Sequence, residues 1–158
     1  MPRDMTHQRV GAISNAHVGR EFEASAQRFF ASRGVELKLS HKVKIGAGDV
    51  KKGHKFDLGC GQRKIIVECK SNRWTNTSNI PSAKLTVWNE AMYYFSLAPN
   101  SYRKIMFVLR HECERRGVTL ATYYLKAYGH LVPSNVEFWE YDETTQEATC
   151  LRPAAGLA

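Results

Sequence analysis

The sequence predicts an α/β domain: a mixed β-sheet flanked by helices, with elements in the order α-β-β-β-α-β-α-β. Three observations carry that expectation. Two apolar stripes, Phe22/Ala26/Phe29/Phe30 and Leu85/Trp88/Met92/Phe95, recur at helical spacing and give each helix one face to bury. Short apolar runs, Ile65-Ile66-Val67 and Ile105 to Leu109, read as strands buried on both faces. Strands placed before and after the helices require crossover connections, and these mix parallel with antiparallel pairs in one sheet. At 158 residues the chain has room for one domain with a sizeable core.

Each element has its own local cause. Residues 1–17 are polar and lack a sustained period, so they are expected to form an N-terminal arm, with residues 18–158 as the single domain. Val18 to Arg33 follows the first stripe and stops at Gly34. Val35 to Ile45 alternates as a strand, and Gly46 to Asp49 supplies turn chemistry. Two further strands, Lys55 to Cys60 and Lys64 to Lys70, are joined at Gly61-Gln62. A polar loop over residues 71–79 precedes a helix with Pro81 near its first turn, ended by Pro99-Asn100. Lys104 to Leu109 is expected as a central strand, Leu120 to Tyr128 as a helix stopped by Gly129, and Val136 to Tyr141 as an edge-like last strand.

Composition narrows the function classes. No apolar run approaches the roughly 20 residues of a membrane span, and the N-terminus lacks the apolar core of a signal peptide. A cytoplasmic protein without a membrane partner is the resulting expectation. Cys60, Cys69, Cys113 and Cys150 show no metal-ligand spacing and read as reduced thiols. The net charge of +8 is unevenly spread: residues 1–73 carry 15 Lys/Arg against 7 Asp/Glu, and the remainder is balanced. A basic half suits a polyanionic partner, and an inert solvated surface is the competing reading.

Within that basic half lie two carboxylates and a lysine. In the strand Lys64 to Lys70, Ile66, Glu68 and Lys70 share one face, and Ile65, Val67 and Cys69 share the other. Glu68 and Lys70 therefore emerge from a core, where unpaired charge is costly unless it binds something. Asp57 lies eleven residues before Glu68 near the end of the preceding strand. An ordinary strand-end ion pair is the bland alternative. His17 and His54 have no partner visible in the sequence, and neither is assigned as a general base.

The order of elements, with Phe56-Asp57, then ten intervening residues, then Glu68-Cys69-Lys70, resembles the PD-(D/E)XK nuclease superfamily, whose fold is restriction-endonuclease-like. The resemblance spans Val18 to Leu109 and includes an acidic helix segment, Gly19 to Glu23. It departs from the family pattern at Phe56, which stands where the family name has a proline, and no recognisable target-recognition domain follows. It implies a Mg²⁺-dependent endonuclease acting on DNA, with Mn²⁺ as a substitute and no small-molecule cofactor. Asp57, Glu68 and the Cys69 backbone carbonyl would hold the ion. Lys70 would act on the attacking water, and Glu23 would serve as a further catalytic carboxylate. A resolvase-like, restriction or mobile-element enzyme acting as a homodimer is expected, since two strands need two sites. Lys42, Lys44, Lys51, Lys52, Lys55 and Arg73 are the candidate phosphate contacts, with His54 beside the lysines and with Trp74, Asn76 and Asn79 beside Arg73 as residues that could also touch the nucleic acid. A binding module of the same fold that no longer cuts, or a nuclease directed at RNA, are the alternatives.

Overall fold

The computed structural model describes residues 6–155, with side chains from Ala16 onward. Its elements are α1 (Thr6–Ser32), β1 (Lys38–Ile45), β2 (Lys52–Cys60), β3 (Ile65–Lys70), α2 (Ser82–Leu97), β4 (Arg103–Leu109), β5 (Glu112–Cys113), β6 (Val118–Thr119), α3 (Leu120–Tyr128), β7 (Val136–Asp142) and β8 (Glu147–Arg152). Six strands form one mixed sheet in the order β1-β2-β3-β4-β7-β8, and β5 pairs with β6 in a small separate hairpin. Strands β3, β4 and β7 run parallel; β1, β2 and β8 join antiparallel at the two sides.

Two cores sandwich this sheet. On one face, the α1 stripe of Phe22, Ala26, Phe29 and Phe30 packs on Leu58, Ile65, Val67, Phe107 and Tyr141. The Phe107 ring lies 5.8, 5.6 and 5.4 Å from the rings of Phe22, Phe29 and Phe30, so one central-strand side chain anchors most of the helix. On the other face, Leu85, Trp88, Met92 and Phe95 of α2 and Leu120 and Tyr124 of α3 cover Phe56, Ile66, Met106, Val108 and Phe138. Lys104 is 1% exposed at the start of β4, and its ammonium donates to the Ala98 carbonyl at 3.0 Å, capping the C-terminus of α2. At the opposite side of the sheet Arg103 clasps the buried Glu137 through two hydrogen bonds of 2.6 and 2.9 Å.

The α/β class, the mixed sheet and its flanking helices agree with the sequence. Several boundaries differ. Helix α1 begins at Thr6 rather than Val18, because adding turns to an anchored helix costs little once the Phe22–Phe30 half is packed. Residues 1–5 of the expected arm lie outside the described residues. Strand β1 starts at Lys38 rather than Val35. The Val35 N–H is used to bond the Phe30 carbonyl at 2.9 Å, and Gly34 N–H bonds Ala31 at 3.0 Å, the double closure of a helix C-terminus. Strand β2 starts earlier, at Lys52, and the β2–β3 turn runs to Lys64. Strand β8 and the β5–β6 hairpin were not expected from the sequence. The four thiols are free, and among the described residues no helix is long and apolar enough to cross a membrane.

One irregularity positions everything that follows. Phe56 belongs to the core under α2, whereas Leu58 belongs to the core under α1. Strict alternation would put both on one face, so β2 turns over at Asp57. The neighbouring strand yields at the matching place: Ser40 takes a φ of 56°, between the pairs Leu39↔Leu58 and His41↔Phe56.

Gly34 tests the end of α1. It holds a φ of +78°, and an added Cβ would meet nothing within 4 Å. Gly34→Ala should cost about 1 kcal/mol in urea unfolding, purely from the left-handed backbone. A cost near zero would mean that this closure does not hold the helix end.

Candidate active site

The turn-over of β2 separates it from β3. Their pairing runs only from Cys60↔Ile65 to Leu58↔Val67. Just beyond the last rung, Asp57 Oδ2 accepts the Cys69 N–H at 2.8 Å, so a side chain takes the place of a strand as acceptor. The opening is reached from both faces. From the α1 face, the Glu23 carboxyl comes into hydrogen-bonding contact with that of Asp57. On the α2 face, Glu68 does the same. Lys70 Nζ lies 3.5 Å from Glu68 Oε2, and His54 Nε2 lies 3.6 Å from Glu68 Oε1.

The electrostatics follow from three carboxyl groups sharing one lysine. Glu68 is 6% exposed. Burial, reinforced by the Asp57 charge and opposed by Lys70, pushes its pKa up to about 8. Glu23 is raised in the same direction, first by burial and then by Asp57, with Lys70 and Arg20 pulling the other way. The buried Cys69 thiol is also held well above its ordinary value by burial and by Asp57, Glu23 and Glu68 around it. It is no candidate nucleophile. Burial lowers the His54 pKa; its ring stacks on Tyr94 of α2 at 4.0 Å and meets Phe56 edge-on at 4.7 Å.

The structure thus brings Asp57, Glu68, Lys70 and Glu23 together. It places the candidate phosphate contacts elsewhere. Lys42 and Lys55 face each other across β1–β2, and Lys52 pairs with Ile45 near the hairpin tip. Lys51 donates to the Gly46 carbonyl at 2.8 Å. Lys44 and Lys51 line a groove of about 410 Å³ with Asn100, where the tip meets the end of α2. Arg73 is engaged by Glu143 of the β7–β8 turn at 2.7 Å, an exposed pair of small energetic weight. His17 pairs with Glu21 one helical turn away at 2.9 Å. Two neighbours of the centre were not assigned to it from sequence, His54 and Arg20. His54 precedes Asp57 by three residues and should lie on the opposite face of a regular strand; only the turn-over of β2 brings it to Glu68.

The donor set suits some ions and not others. Among the described residues no group of three or more His, Cys, Asp or Glu side chains is placed to hold a metal ion by itself. Mg²⁺ needs less from a protein: one or two carboxylates and a carbonyl suffice, because it keeps several waters. Asp57, Glu68 and the Cys69 carbonyl are such an all-oxygen set, and a bound cation would stabilise the charged form of Glu68 that burial disfavours.

The raised Glu68 pKa has a stability consequence. A carboxyl with a folded pKa near 8 and an ordinary value of 4.5 favours folding while protonated. That contribution is present below about pH 4.5 and is lost as pH rises through about 8. In EDTA, the thermal stability of Glu68→Gln should therefore overtake that of the unaltered chain as pH rises from 5 to 8. The gap should grow to at most the order of 4 kcal/mol. A gap independent of pH would mean that Glu68 is not held protonated.

Compared with known protein families, curated proteins and solved structures, the chain matches none.

Proposed function

We propose that this protein is a metal-dependent nuclease with a restriction-endonuclease-like core, hydrolysing phosphodiester bonds in DNA. The observation that carries the reading is the convergence of Glu23, Asp57 and the buried Glu68 on one opening in the sheet beside Lys70. Such crowding of carboxyl groups is destabilising in a protein that binds no cation there. The element order around it, a helix followed by three antiparallel strands, a helix and a parallel strand, supports the same reading.

Asp57, Glu68 and the Cys69 carbonyl would hold Mg²⁺ or Mn²⁺, which supplies Lewis-acid polarisation of the phosphate and an acidified water. The chain's own groups do the rest. Asp57 is oriented by the Cys69 N–H. Glu68, which burial favours in its protonated form, would have to be ionised to serve as a ligand. Lys70, whose ammonium lies 3.5 Å from Glu68 Oε2, would orient the attacking water and balance charge growing on the phosphate. Glu23 lies against Asp57 and would anchor a water beside the ion. A homodimer would bring two such centres to the two strands of a duplex.

Asp57→Ala and Glu68→Ala should each lower cleavage of supercoiled plasmid by at least about a thousandfold while the chain stays folded. Glu23→Gln should fall between these and the unaltered protein, and EDTA should abolish activity in all. Lys70→Arg should not restore what Lys70→Ala removes, because a planar fork does not replace a compact ammonium among packed side chains. Wild-type turnover in the two carboxylate variants would overturn the assignment. No cleavage of supercoiled, linear, single-stranded or branched DNA in Mg²⁺ or Mn²⁺ would favour a binding module instead.

DNA affinity should fall steeply with salt, with a slope near −5 if about six phosphates are neutralised. Neutralising Lys51, Lys52 and Lys55 together should flatten it. An unchanged slope would move the binding surface away from the β1–β2 hairpin.

A further inference from the structure

The balanced charge of the C-terminal half conceals a local positive cleft. Four of its eight acidic residues are paired: Glu137 binds Arg103 at 2.6 Å, Glu143 binds Arg73 at 2.7 Å, and Glu140 and Glu112 lie 3.7 and 3.6 Å from Arg110. Two arginines on the β5–β6 hairpin, Arg115 and Arg116, are left facing the loop that follows Lys70. Among the described residues neither forms an ion pair.

That loop is fastened to the hairpin. The Trp74 N–H donates to His111 Nδ1 at 3.0 Å, and Arg116 Nε donates to the Ser78 carbonyl at 2.8 Å. The Arg116 guanidinium also lies 5.3 Å from the centre of the buried Trp74 ring. Arg116 is therefore held in place before any ligand arrives. Thr77, Ser78, Asn79, Arg115 and Arg116 enclose a cleft of about 350 Å³. Its lining offers hydroxyls, an amide and two guanidiniums, and no carboxylate. Two cations on successive residues repel one another until an anion sits between them. A guanidinium fork matches the paired oxygens of a phosphate better than any other common anion apart from carboxylate.

Position relates this cleft to the carboxylate centre. Strands β3 and β4 are parallel, so Lys70 and Leu109 end at the same edge of the sheet. The loop of residues 71–79 leaves from the first, and the β5–β6 hairpin from the second. The cleft thus lies along the edge from which Glu68 and Lys70 emerge.

We propose that this cleft is a subsite for one backbone phosphate of the nucleic-acid substrate, distinct from the phosphate that is cleaved. Arg115 and Arg116 bind its non-bridging oxygens, and Thr77 and Asn79 add neutral donors. The assignment rests on the nuclease reading for its substrate, but its test does not depend on cleavage.

The test is fluorescence anisotropy in EDTA with labelled duplex DNA, single-stranded DNA and RNA. Arg115→Ala is the probe, because Arg116 also fastens the loop. The variant should bind about three- to tenfold more weakly, and its salt slope should be shallower by about one. A walk of single neutral methylphosphonates along the preferred strand adds position. One substitution should weaken the unaltered protein and leave Arg115→Ala unaffected, and the arm that shows this identifies the nucleic acid. Unchanged affinity and slope in Arg115→Ala, or no position whose effect disappears in the variant, overturns the subsite even if the protein cleaves DNA. An Arg115-dependent position in a protein that cuts nothing sinks the nuclease reading and keeps the subsite. Absence of binding to all three probes overturns both.

Discussion

The bond from the Cys69 N–H to Asp57 Oδ2 stands where a strand pair would otherwise continue, and the candidate site is a consequence of that replacement. A β2 that stayed paired with β3 through residue 57 would present Asp57 to one face only. It would leave Glu23 and Glu68 separated by an intact sheet. By turning over at Asp57, with Phe56 buried under α2 and Leu58 under α1, β2 opens the sheet where three carboxyl groups can meet.

Holding that opening requires rigid walls. On one side the Phe107 cluster fixes α1 and with it Glu23. On the other, Phe56 stacks on Phe95 at 5.6 Å and His54 on Tyr94 at 4.0 Å, tying the β1–β2 hairpin to α2. The cores on the two faces hold the carboxyl groups together, and burial first, with the Asp57 charge second, raises the Glu68 pKa. Catalytic centres commonly store perturbed ionisation in this way.

Much of this was legible in the chain, and the parts that were not have physical reasons. The α1 and α2 stripes, the two-sided burial of β3 and the central β4 depend on patterns within one element, and these agree with the structure. Glu68 and Lys70 on one strand face are a period-two consequence of the sequence alone. Strand β8 was missed because an edge strand with one exposed face, Glu147 to Arg152, carries little apolar signal. Two-residue strands such as β5 and β6 carry none. His54 escaped because its partners, Glu68 and Tyr94, come from two other elements. The Arg115/Arg116 cleft escaped because a charge count over half a chain averages local positive and negative regions. The placement of the basic residues illustrates the same limit: the lysines that dominate the count gather on the β1–β2 hairpin, and Arg73 turns toward Glu143.

If the opening exists to hold a cation, binding should displace the proton that burial places on Glu68. The most direct measurement is calorimetric titration of Mn²⁺ at pH 7 in two buffers of different ionisation enthalpy, which counts protons released per ion bound. With a Glu68 pKa of about 8, one ion per chain should release close to one proton, about 0.9 by simple titration. Mn²⁺ binding that releases no proton, or that persists unchanged in Asp57→Ala, would contradict the account.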